Sequence, residues 1–273
     1  MNKVNPLLGA FKDPVDPRDF AMRKVMKAVE LPPVVDYEMR FKGVRNQQQR
    51  GACVSFATVA VKEYQEAKQR KFKQSYDFSE EWVYEQVRQP GGGAFPRDAF
   101  KLLVDVGVPR EFYMPYMGEI VDDNQEPAFN PGRGAKTNAK CYKASGYARL
   151  TTVNDMMQSL FVNGPFMIGV DWLNGWFNDQ NKDRDENGYP ILKTGDGPVA
   201  GGHAICIVGY RMISATVIRF KFRQSWGDTW GKGGYAFFDQ EVINSNLNDA
   251  WAVYDLANPL INKSAVASLI ASK

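Results

Sequence analysis

The hydrophobic pattern of this 273-residue chain changes near its middle, and that change constrains the fold more than any other feature. Before about residue 163 the apolar residues recur at helical spacing. In the segment from Ala52 to Lys71, the residues that would share one helix face are Phe56, Val59, Ala60, Tyr64 and Ala67. After that point short β-rich runs follow, separated by turn residues: PFMIGVDW, HAICIVGY, TVIRFKF, GYAFF and WAVYDL. Helices followed by antiparallel strands predict an α+β protein with two packed lobes and a cleft between them.

Local signals place the ends of the other helices. Ser79 followed by two glutamates is a capping hydroxyl with acidic residues in the first turn, where the helix dipole favours them. Another helix is predicted from about Arg97 to Asp105, before a glycine that can end it. A further helix is predicted from Thr152 to Asn163, closed by Gly-Pro.

Composition excludes several classes of function. Hydrophobic residues make up 44% and charged residues 24% of the chain, as in ordinary globular domains. The formal net charge of +3 is small, and no run of Lys and Arg interleaved with aromatics indicates a nucleic-acid groove. The N-terminal sequence has no signal-peptide core, and no window approaches the ~18 apolar residues of a membrane span. We therefore expect a soluble protein, cytoplasmic when made, with no nucleic-acid or membrane partner.

The thiols and the acidic residues do not indicate a metal site. Cys53, Cys141 and Cys206 form no Cys-x-x-Cys pair, and a single histidine cannot complete a convincing zinc site with them. An odd number of thiols also argues against a disulfide-stapled secreted fold. Residues 183–194 begin like a calcium loop, but Thr194 stands where a bidentate Glu is needed. A solvated acidic turn is the favoured interpretation of this segment, and no cofactor is required.

Three residues in the order Cys, His, amide suggest an activated thiol. A lone cysteine is more often a buried hydrophobe, but Cys53 follows Gly-Ala at a helix start, where the dipole stabilises thiolate. A lone histidine is more often a surface or core residue, but His203 follows two glycines that would let a substrate backbone approach. Gln224 lies on the next predicted strand and could orient the imidazole.

Three segments carry a family resemblance. VRNQQQRGACVSFA resembles the nucleophile segment of papain-like cysteine peptidases, GGHAICIVGY their histidine strand, and FRQSWGDTWGKGGYAFF their Asn-Ser-Trp-Gly segment. The resemblance covers roughly residues 34–257 and includes LPPVVDYEMR and GVPREFYMPY as further landmarks. The DPVDPRDF segment is similar to that of papain-like proteins of bacteria and their viruses. The resemblance implies a papain-like two-lobe fold, with a helical N-terminal lobe, an antiparallel β-rich C-terminal lobe and an active-site cleft between them.

The resemblance also implies roles for individual residues. Cys53 would attack the scissile carbonyl while His203 holds the thiol proton. Gln47 and the Cys53 backbone amide would donate to the oxyanion. Gln224 would orient the imidazole, and Trp226 would shield that contact from water.

Four further residues would bind substrate if the resemblance holds. Gly92 and Gly93 resemble the glycine wall along which the substrate backbone pairs. Gly202 would allow close approach of that backbone, and Ala204 would form part of the main specificity pocket.

The sequence departs from the family pattern at several positions. Gln224 stands where the family has Asn, so the orienting amide is one methylene longer. Arg50 replaces a cysteine of a family disulfide, which fits a reducing origin, and Val54 replaces the usual aromatic. No long inhibitory pro-segment precedes the domain, so any latency would come from the N-terminal residues or from a partner.

These observations divide the chain into an N-terminal arm at residues 1–33, a catalytic domain at 34–257 and a C-terminal tail at 258–273. Within the domain, the helical lobe would span about 34–145 and the β-rich lobe about 146–257. The tail could form a short amphipathic helix, and a frayed end is as plausible as docking on another chain.

Three functions remain open from the sequence. The first is a cysteine peptidase that hydrolyses peptide or isopeptide bonds in a polypeptide substrate through an acyl-enzyme. The second is a weakly active or inactive papain-like domain in a larger assembly, such as a phage virion, contacted through the arm and the tail. The third is a relative that transfers the acyl group to amines by the same chemistry.

Overall fold

Most of the helices precede most of the strands in the structure, as the change in periodicity predicts. The computed structural model describes residues 7–118 and 129–271. The helices are α1 Cys53–Gln69, α2 Glu80–Val87, α3 Pro96–Asp105, α4 Ala135–Lys140, α5 Val153–Val162, α6 Gln240–Asn246 and α7 Lys263–Ala271. The strands are β1 Val34–Asp36, β2 Gly146–Arg149, β3 Phe166–Leu173, β4 Ile191–Leu192, β5 Val199–Met212, β6 Ile218–Arg223, β7 Tyr235–Asp239 and β8 Leu247–Tyr254. Short 3-10 helices lie at Met22–Lys24, Glu38–Arg40, Glu111–Tyr113, Asn174–Phe177 and Asp179–Asn181.

The predicted cap of α2 is confirmed, and α5 begins with a cap of the same kind. The Ser79 hydroxyl accepts a hydrogen bond from the backbone N–H of Trp82 and so caps α2. The Thr152 hydroxyl does the same for α5 by accepting from Asp155. Because each cap satisfies an N–H that has no partner within the helix, these starts are fixed by local chemistry.

All the described strands belong to one sheet in the order β2-β8-β3-β5-β6-β7-β4, with β1 added to the far end of β5. The neighbours are antiparallel except for β4 and β7. The long strand β5 lies between β3 and β6, and it begins at Val199, four residues before His203. The sheet therefore holds the histidine at its centre.

Two apolar cores flank this sheet. One contains the aromatic residues Trp172, Trp176, Phe220, Phe222 and Phe238. The other joins α1, α2 and α3 to the opposite face of the sheet. Helix α1 is buried along most of its length and packs across β5, so the N-terminus of the helix meets the middle of the strand. This α+β arrangement is the predicted two-lobe fold.

The arm and the tail pack on the domain and on each other. Met22 and Val25 are fully buried, and Met26 pairs with Ile261. The backbone N–H of Asn262, just before α7, donates to the Val25 carbonyl. The tail thus forms a helix that docks on its own chain. Residues 1–6 of the arm and 272–273 of the tail lie outside the described residues.

No helix in the described part of the chain is long and apolar enough to cross a membrane.

Candidate active site

Cys53 is the first residue of α1 and is completely buried. Its sulfur accepts a hydrogen bond of 3.4 Å from the backbone N–H of Ala204, the residue after His203. The thiol of the helical lobe therefore lies against the histidine strand of the sheet. The N-terminus of α1 provides a positive electrostatic environment that favours a thiolate at this position.

His203 is also completely buried, in the centre of β5. Its Nε2 lies 2.6 Å from Oε1 of Gln224. The imidazole stacks on Trp226 at 4.8 Å between ring centroids and contacts the edge of Trp172 at 5.0 Å. Nδ1 has no hydrogen-bond partner among the described residues. The ring is therefore fixed through one nitrogen, and the other is left available for a proton.

Gln224 reaches the histidine despite its extra methylene. Its Oε1 accepts from the backbone N–H of Ser225 at 3.0 Å as well as meeting the imidazole. This second bond holds the longer side chain folded back toward its own backbone. The amide oxygen thus occupies a fixed position beside Nε2.

Gln47 links the two lobes beside the thiol. Its side-chain Oε1 accepts from the Ser225 hydroxyl at 2.6 Å, and its Nε2 donates to the Arg50 carbonyl at 2.8 Å. The backbone N–H of Gln47 donates to the Ser225 carbonyl at 2.8 Å. Because both ends of the amide are held, its orientation is set before any substrate arrives.

Arg50 forms a buried ion cluster where the family has a disulfide cysteine. Its guanidinium donates to both carboxylate oxygens of Glu81, at 2.9 and 2.7 Å, and also to Glu85. The guanidinium also lies 4.6 Å from the ring of Tyr84. The cluster ties the loop before Cys53 to α2 without a covalent bond.

Burial keeps the thiol and the imidazole neutral in this conformation. It raises the pKa of Cys53 to about 12, although the hydrogen bond from Ala204 opposes the shift. Burial also lowers the pKa of His203 to about 4, against the opposing effect of Gln224. At pH 7 neither group is charged, because each would have to ionise without water.

Residues Leu7 to Phe11 of the arm lie in the cleft beside these two groups. The backbone N–H groups of Gly9 and Ala10 both donate to the Gly202 carbonyl, at 2.9 and 3.0 Å. Ala94 donates to the Gly9 carbonyl at 2.8 Å and accepts from Phe11 at 3.0 Å. Trp226 Nε1 donates to the Leu7 carbonyl at 3.1 Å. The arm therefore bridges both lobes, from Ala94 in the helical lobe to Gly202, the residue before His203, in the sheet.

Glycines make this close approach possible. A Cβ added to Gly202 would lie 1.9 Å from the Ala10 carbonyl oxygen, and one added to Gly9 would lie 2.4 Å from that of Gly51. A Cβ on Gly93 would meet the ring of Phe11 at 2.7 Å. The cleft at this point has room for backbone only.

The predicted glycine wall lies at the cleft, but the backbone that pairs with the arm is that of Ala94. The N–H of Gly92 donates within its own turn, to the Gln89 carbonyl. Ala94 was not predicted, because it binds the arm through its backbone N–H and C=O, and any residue type has a C=O and nearly any has an N–H. Its place just after a run of glycines was the available signal.

Ala204 and the aromatic residues define the cleft on either side of the thiol. Ala204 shares an apolar cluster with Cys53 and with Ala10 of the arm. Beyond Leu7 the cleft continues as a cavity of about 310 Å³, whose aromatic lining is Phe177, Trp226 and Trp230.

The acidic turn at residues 183–194 is occupied by cationic side chains. Asp183 pairs with Lys193 at 2.6 Å, and Asp185 lies 3.6 Å from Arg211. Within the described residues, no three His, Cys, Asp or Glu side chains come together as a metal-binding group.

Comparisons with known proteins agree with this geometry. A family model described as papain family cysteine protease matches residues 31–254. A cysteine protease of Blomia tropicalis is 25% identical over 234 residues, which are 80% of this chain and 64% of that protein. An uncharacterised peptidase C1-like protein of Acanthamoeba polyphaga mimivirus is 26% identical over 228 residues, 78% of this chain and 70% of that one.

Solved structures give the same result. Xylellain, a cysteine protease from Xylella fastidiosa, superimposes with a TM-score of 0.76 at 25% identity, covering 94% of this chain and 98% of xylellain. A further relative by sequence, mouse cathepsin K, is 25% identical over 84% of this chain, which spans 64% of the length of that relative. Since the family model covers most of the sequence, the chain belongs to the papain family of cysteine proteases.

Proposed function

We propose that the protein is a cysteine peptidase that hydrolyses polypeptides with Cys53 as nucleophile and His203 as base. Two contacts carry the proposal. The Cys53 thiol, at the N-terminus of α1, is bonded to the backbone of Ala204, the residue after His203. The Nε2 of His203 is held by the side chain of Gln224. An activated cysteine passes its proton to a neighbouring base, and His203 Nδ1, which has no partner among the described residues, is the nitrogen left to receive it. The chemistry needs no metal or cofactor.

The reaction follows from the atoms in the cleft. The Cys53 proton passes to Nδ1 of His203, and the thiolate attacks the carbonyl carbon of the scissile bond. The Cys53 backbone N–H and the Gln47 amide stabilise the resulting oxyanion. The imidazolium then gives its proton to the leaving amine, and an acyl-enzyme remains. Water, deprotonated by His203, attacks the thioester and regenerates the thiol.

Substrate can bind only when the arm leaves the cleft. The segment from Leu7 to Phe11 makes hydrogen bonds to the Gly202 carbonyl and to both main-chain groups of Ala94, so these groups are not free to bind a substrate backbone. The same segment excludes water from the thiol. Once the arm is displaced, the pKa of each catalytic group returns toward its ordinary value, and a Cys–His ion pair can form. We therefore propose a closed form, seen here, and an open form that is active.

A glycine substitution in the arm tests both parts of the proposal. Gly9→Ala places a Cβ against the Gly51 carbonyl oxygen, where neither backbone can move easily, and should therefore release the arm. Gly43→Ala is the matched control, because an added Cβ at Gly43 meets nothing within 4 Å. We expect a peptidyl epoxide to label Cys53 at least about tenfold faster in Gly9→Ala than in the wild type or Gly43→Ala, with peptide hydrolysis rising in parallel.

The labelled residue is identified by mass spectrometry of peptides. Exposed Cys141 reports unspecific alkylation, and buried Cys206 reports global unfolding. His203→Ala in the Gly9→Ala background should abolish the labelling of Cys53. If Cys53 is released but reacts no faster than Cys141 and no peptide is cleaved, the peptidase proposal is wrong. Leu8→Asp, which puts a charge at a residue only 1% exposed, provides a second way to release the arm.

The alternative role in a virus particle or other assembly is not favoured. The arm and the tail, which were the predicted docking segments, are used within the chain: Met26 pairs with Ile261, and Val266 is buried. One relative is a mimivirus protein, but others come from animals, so the relatives do not indicate that this chain comes from a virus. Free thiols at all three cysteines, with the Arg50 ion cluster in place of a disulfide, support work in a reducing compartment.

A further inference from the structure

Two carboxylates lie side by side where the arm leaves the cleft. The backbone N–H of Asp13 donates to Oδ2 of Asp249 at 2.8 Å. Asp13 is 4% exposed and Asp249 2% exposed. Asp13 belongs to the arm, whereas Asp249 belongs to β8 of the sheet. The pair therefore exists only while the arm is docked.

The Asp13 carboxylate is held by neutral donors. Trp251 Nε1 donates to its Oδ2 at 2.8 Å. The backbone N–H of Arg97, in the first turn of α3, donates to the same oxygen at 3.0 Å. No lysine or arginine side chain forms an ion pair with Asp13 among the described residues. The Arg97 guanidinium binds Asp19 instead, at 2.7 Å.

Of the two carboxylates only Asp249 has an ion pair among the described residues, whereas the charge of Arg97 acts on Asp13 without pairing with it. Arg149 pairs with Asp249 at 3.0 Å, and both Arg97 and Arg149 lie over the Trp251 ring. Lys12, next to Asp13 in the arm, is exposed. Docking the ionised arm therefore brings a second, largely desolvated negative charge against the first.

We propose that the Asp13–Asp249 pair is a pH-dependent latch, which holds the arm in the cleft when the pair carries a proton and loosens when it does not. The inference rests on the proposed function for its consequence: the peptidase would be closed in acid and would open toward neutral pH. A protonated Asp13 also retains an oxygen that can accept from Trp251 and Arg97, so protonation costs the docked arm little.

The sign and size of the effect follow from linkage. Burial, and then the charge of Asp249, raise the pKa of Asp13 to about 6 from 3.8, while the bonds from Trp251 and Arg97 oppose the rise. Because the docked arm binds the proton more tightly than the released arm, docking is strengthened at low pH and is lost as the pH rises through about 6. The docking equilibrium constant should fall about tenfold between about pH 5 and pH 7.

Hydrogen exchange of the intact chain measures docking without reference to activity. The amides of Gly9, Ala10 and Phe11 donate into the cleft and should be protected only while the arm is docked. We expect their protection factors, corrected for intrinsic exchange, to fall about tenfold from about pH 5 to pH 7 in the wild type. Asp13→Asn keeps the shape and the accepting oxygen but has no proton to lose, so its dependence on pH should fall to what Asp249, whose pKa burial also raises, contributes.

Asp16→Asn is the matched control in the same arm. The Arg18 guanidinium keeps the pKa of Asp16 below its ordinary value, so Asp16 does not titrate in this range. This variant should show the full wild-type dependence. Asp249→Asn removes the facing charge and should reduce the dependence.

The latch proposal is wrong if the protection factors of the wild-type arm are the same at both pH values. It is also wrong if those of Asp13→Asn change with pH as much as those of the wild type. Peptide hydrolysis measured in the same samples separates the two proposals. A pH-dependent arm in a protein that cleaves nothing supports the latch and contradicts the peptidase.

Discussion

Gln224 contacts His203 through an oxygen that is shared with the backbone of the next residue. The 2.6 Å contact fixes the imidazole, and the 3.0 Å bond from Ser225 fixes the amide. Because an amide oxygen accepts from the imidazolium, the bond is worth most when the histidine is charged, at about 1.5–3 kcal/mol. Gln224 is therefore a positioning residue that stabilises the ion pair.

We predict that Gln224→Ala, made in the arm-released Gly9→Ala background, lowers kcat/KM about 10- to 100-fold. The alkaline limb of the pH–rate profile should move to lower pH, since losing the acceptor lowers the pKa of the imidazolium, the direction in which Gln224 now opposes burial. Steady-state peptide hydrolysis across pH measures both effects.

The exposed Gln180 supplies the control, and Gln180→Ala should leave the rate and the profile unchanged. A Gln224→Ala enzyme with a lower rate but an unmoved alkaline limb would assign Gln224 a merely structural role.

Residue types were enough to choose the side chains of the candidate site, because its proposed chemistry depends on side chains. The sequence indicated a thiol at a helix start, one histidine beside glycines and an amide on the next strand. The role of Ala94 could not be predicted from the sequence, because its two hydrogen bonds to the arm are made by the main chain. The protonation states of Cys53 and His203 could not be predicted either, since they depend on which residues cover the cleft.

The first turn of α1 is held in place by the Arg50 cluster. Arg50 is 1% exposed and faces Glu81 and Glu85, both of them buried. The Arg50 carbonyl accepts from the Gln47 amide, so the cluster and the predicted oxyanion donor share one loop. Removing one partner of a buried ion cluster leaves uncompensated charge, which costs about 3–5 kcal/mol.

We predict that Arg50→Ala lowers the free energy of unfolding by about 3–5 kcal/mol, measured by urea denaturation. Lys101→Ala is the matched control. Its i,i+4 pair with Asp105 is exposed, so it should cost no more than about 0.5 kcal/mol. A loss below about 1 kcal/mol for Arg50→Ala would mean that the cluster does not brace this loop.

Helices and strands with strong local signals were predicted from the sequence, and those fixed by distant contacts were not. Ser79 and Thr152 cap α2 and α5 through bonds that span three residues. The two-residue strand β4 exists only because it pairs with β7, more than forty positions later. The short helix α6 follows β7 directly, without a side-chain cap. Nothing local could reveal either element.

The arm could be recognised by its composition, but its place in the cleft could not, since every contact that holds it is long-range. Gly9 meets Gly202, and Met26 meets Ile261. The second contact matters for regulation. Residues 22–26 are anchored beneath the tail, so the segment in the cleft remains tethered when it is released. A tether keeps a released segment at a high effective concentration near its site.

The arm should therefore inhibit within its own molecule. We predict that the rate of peptide hydrolysis per molecule of wild-type protein stays constant over about a hundredfold dilution, because reclosing does not depend on protein concentration. The Gly9→Ala variant, whose arm cannot redock, should be more active at every concentration. A specific activity that rises on dilution would instead indicate arms exchanged between copies, because such exchange weakens as molecules become scarce. The anchored residues 22–26 argue against this exchange, since the contact between Met26 and Ile261 holds the arm near the cleft of its own molecule.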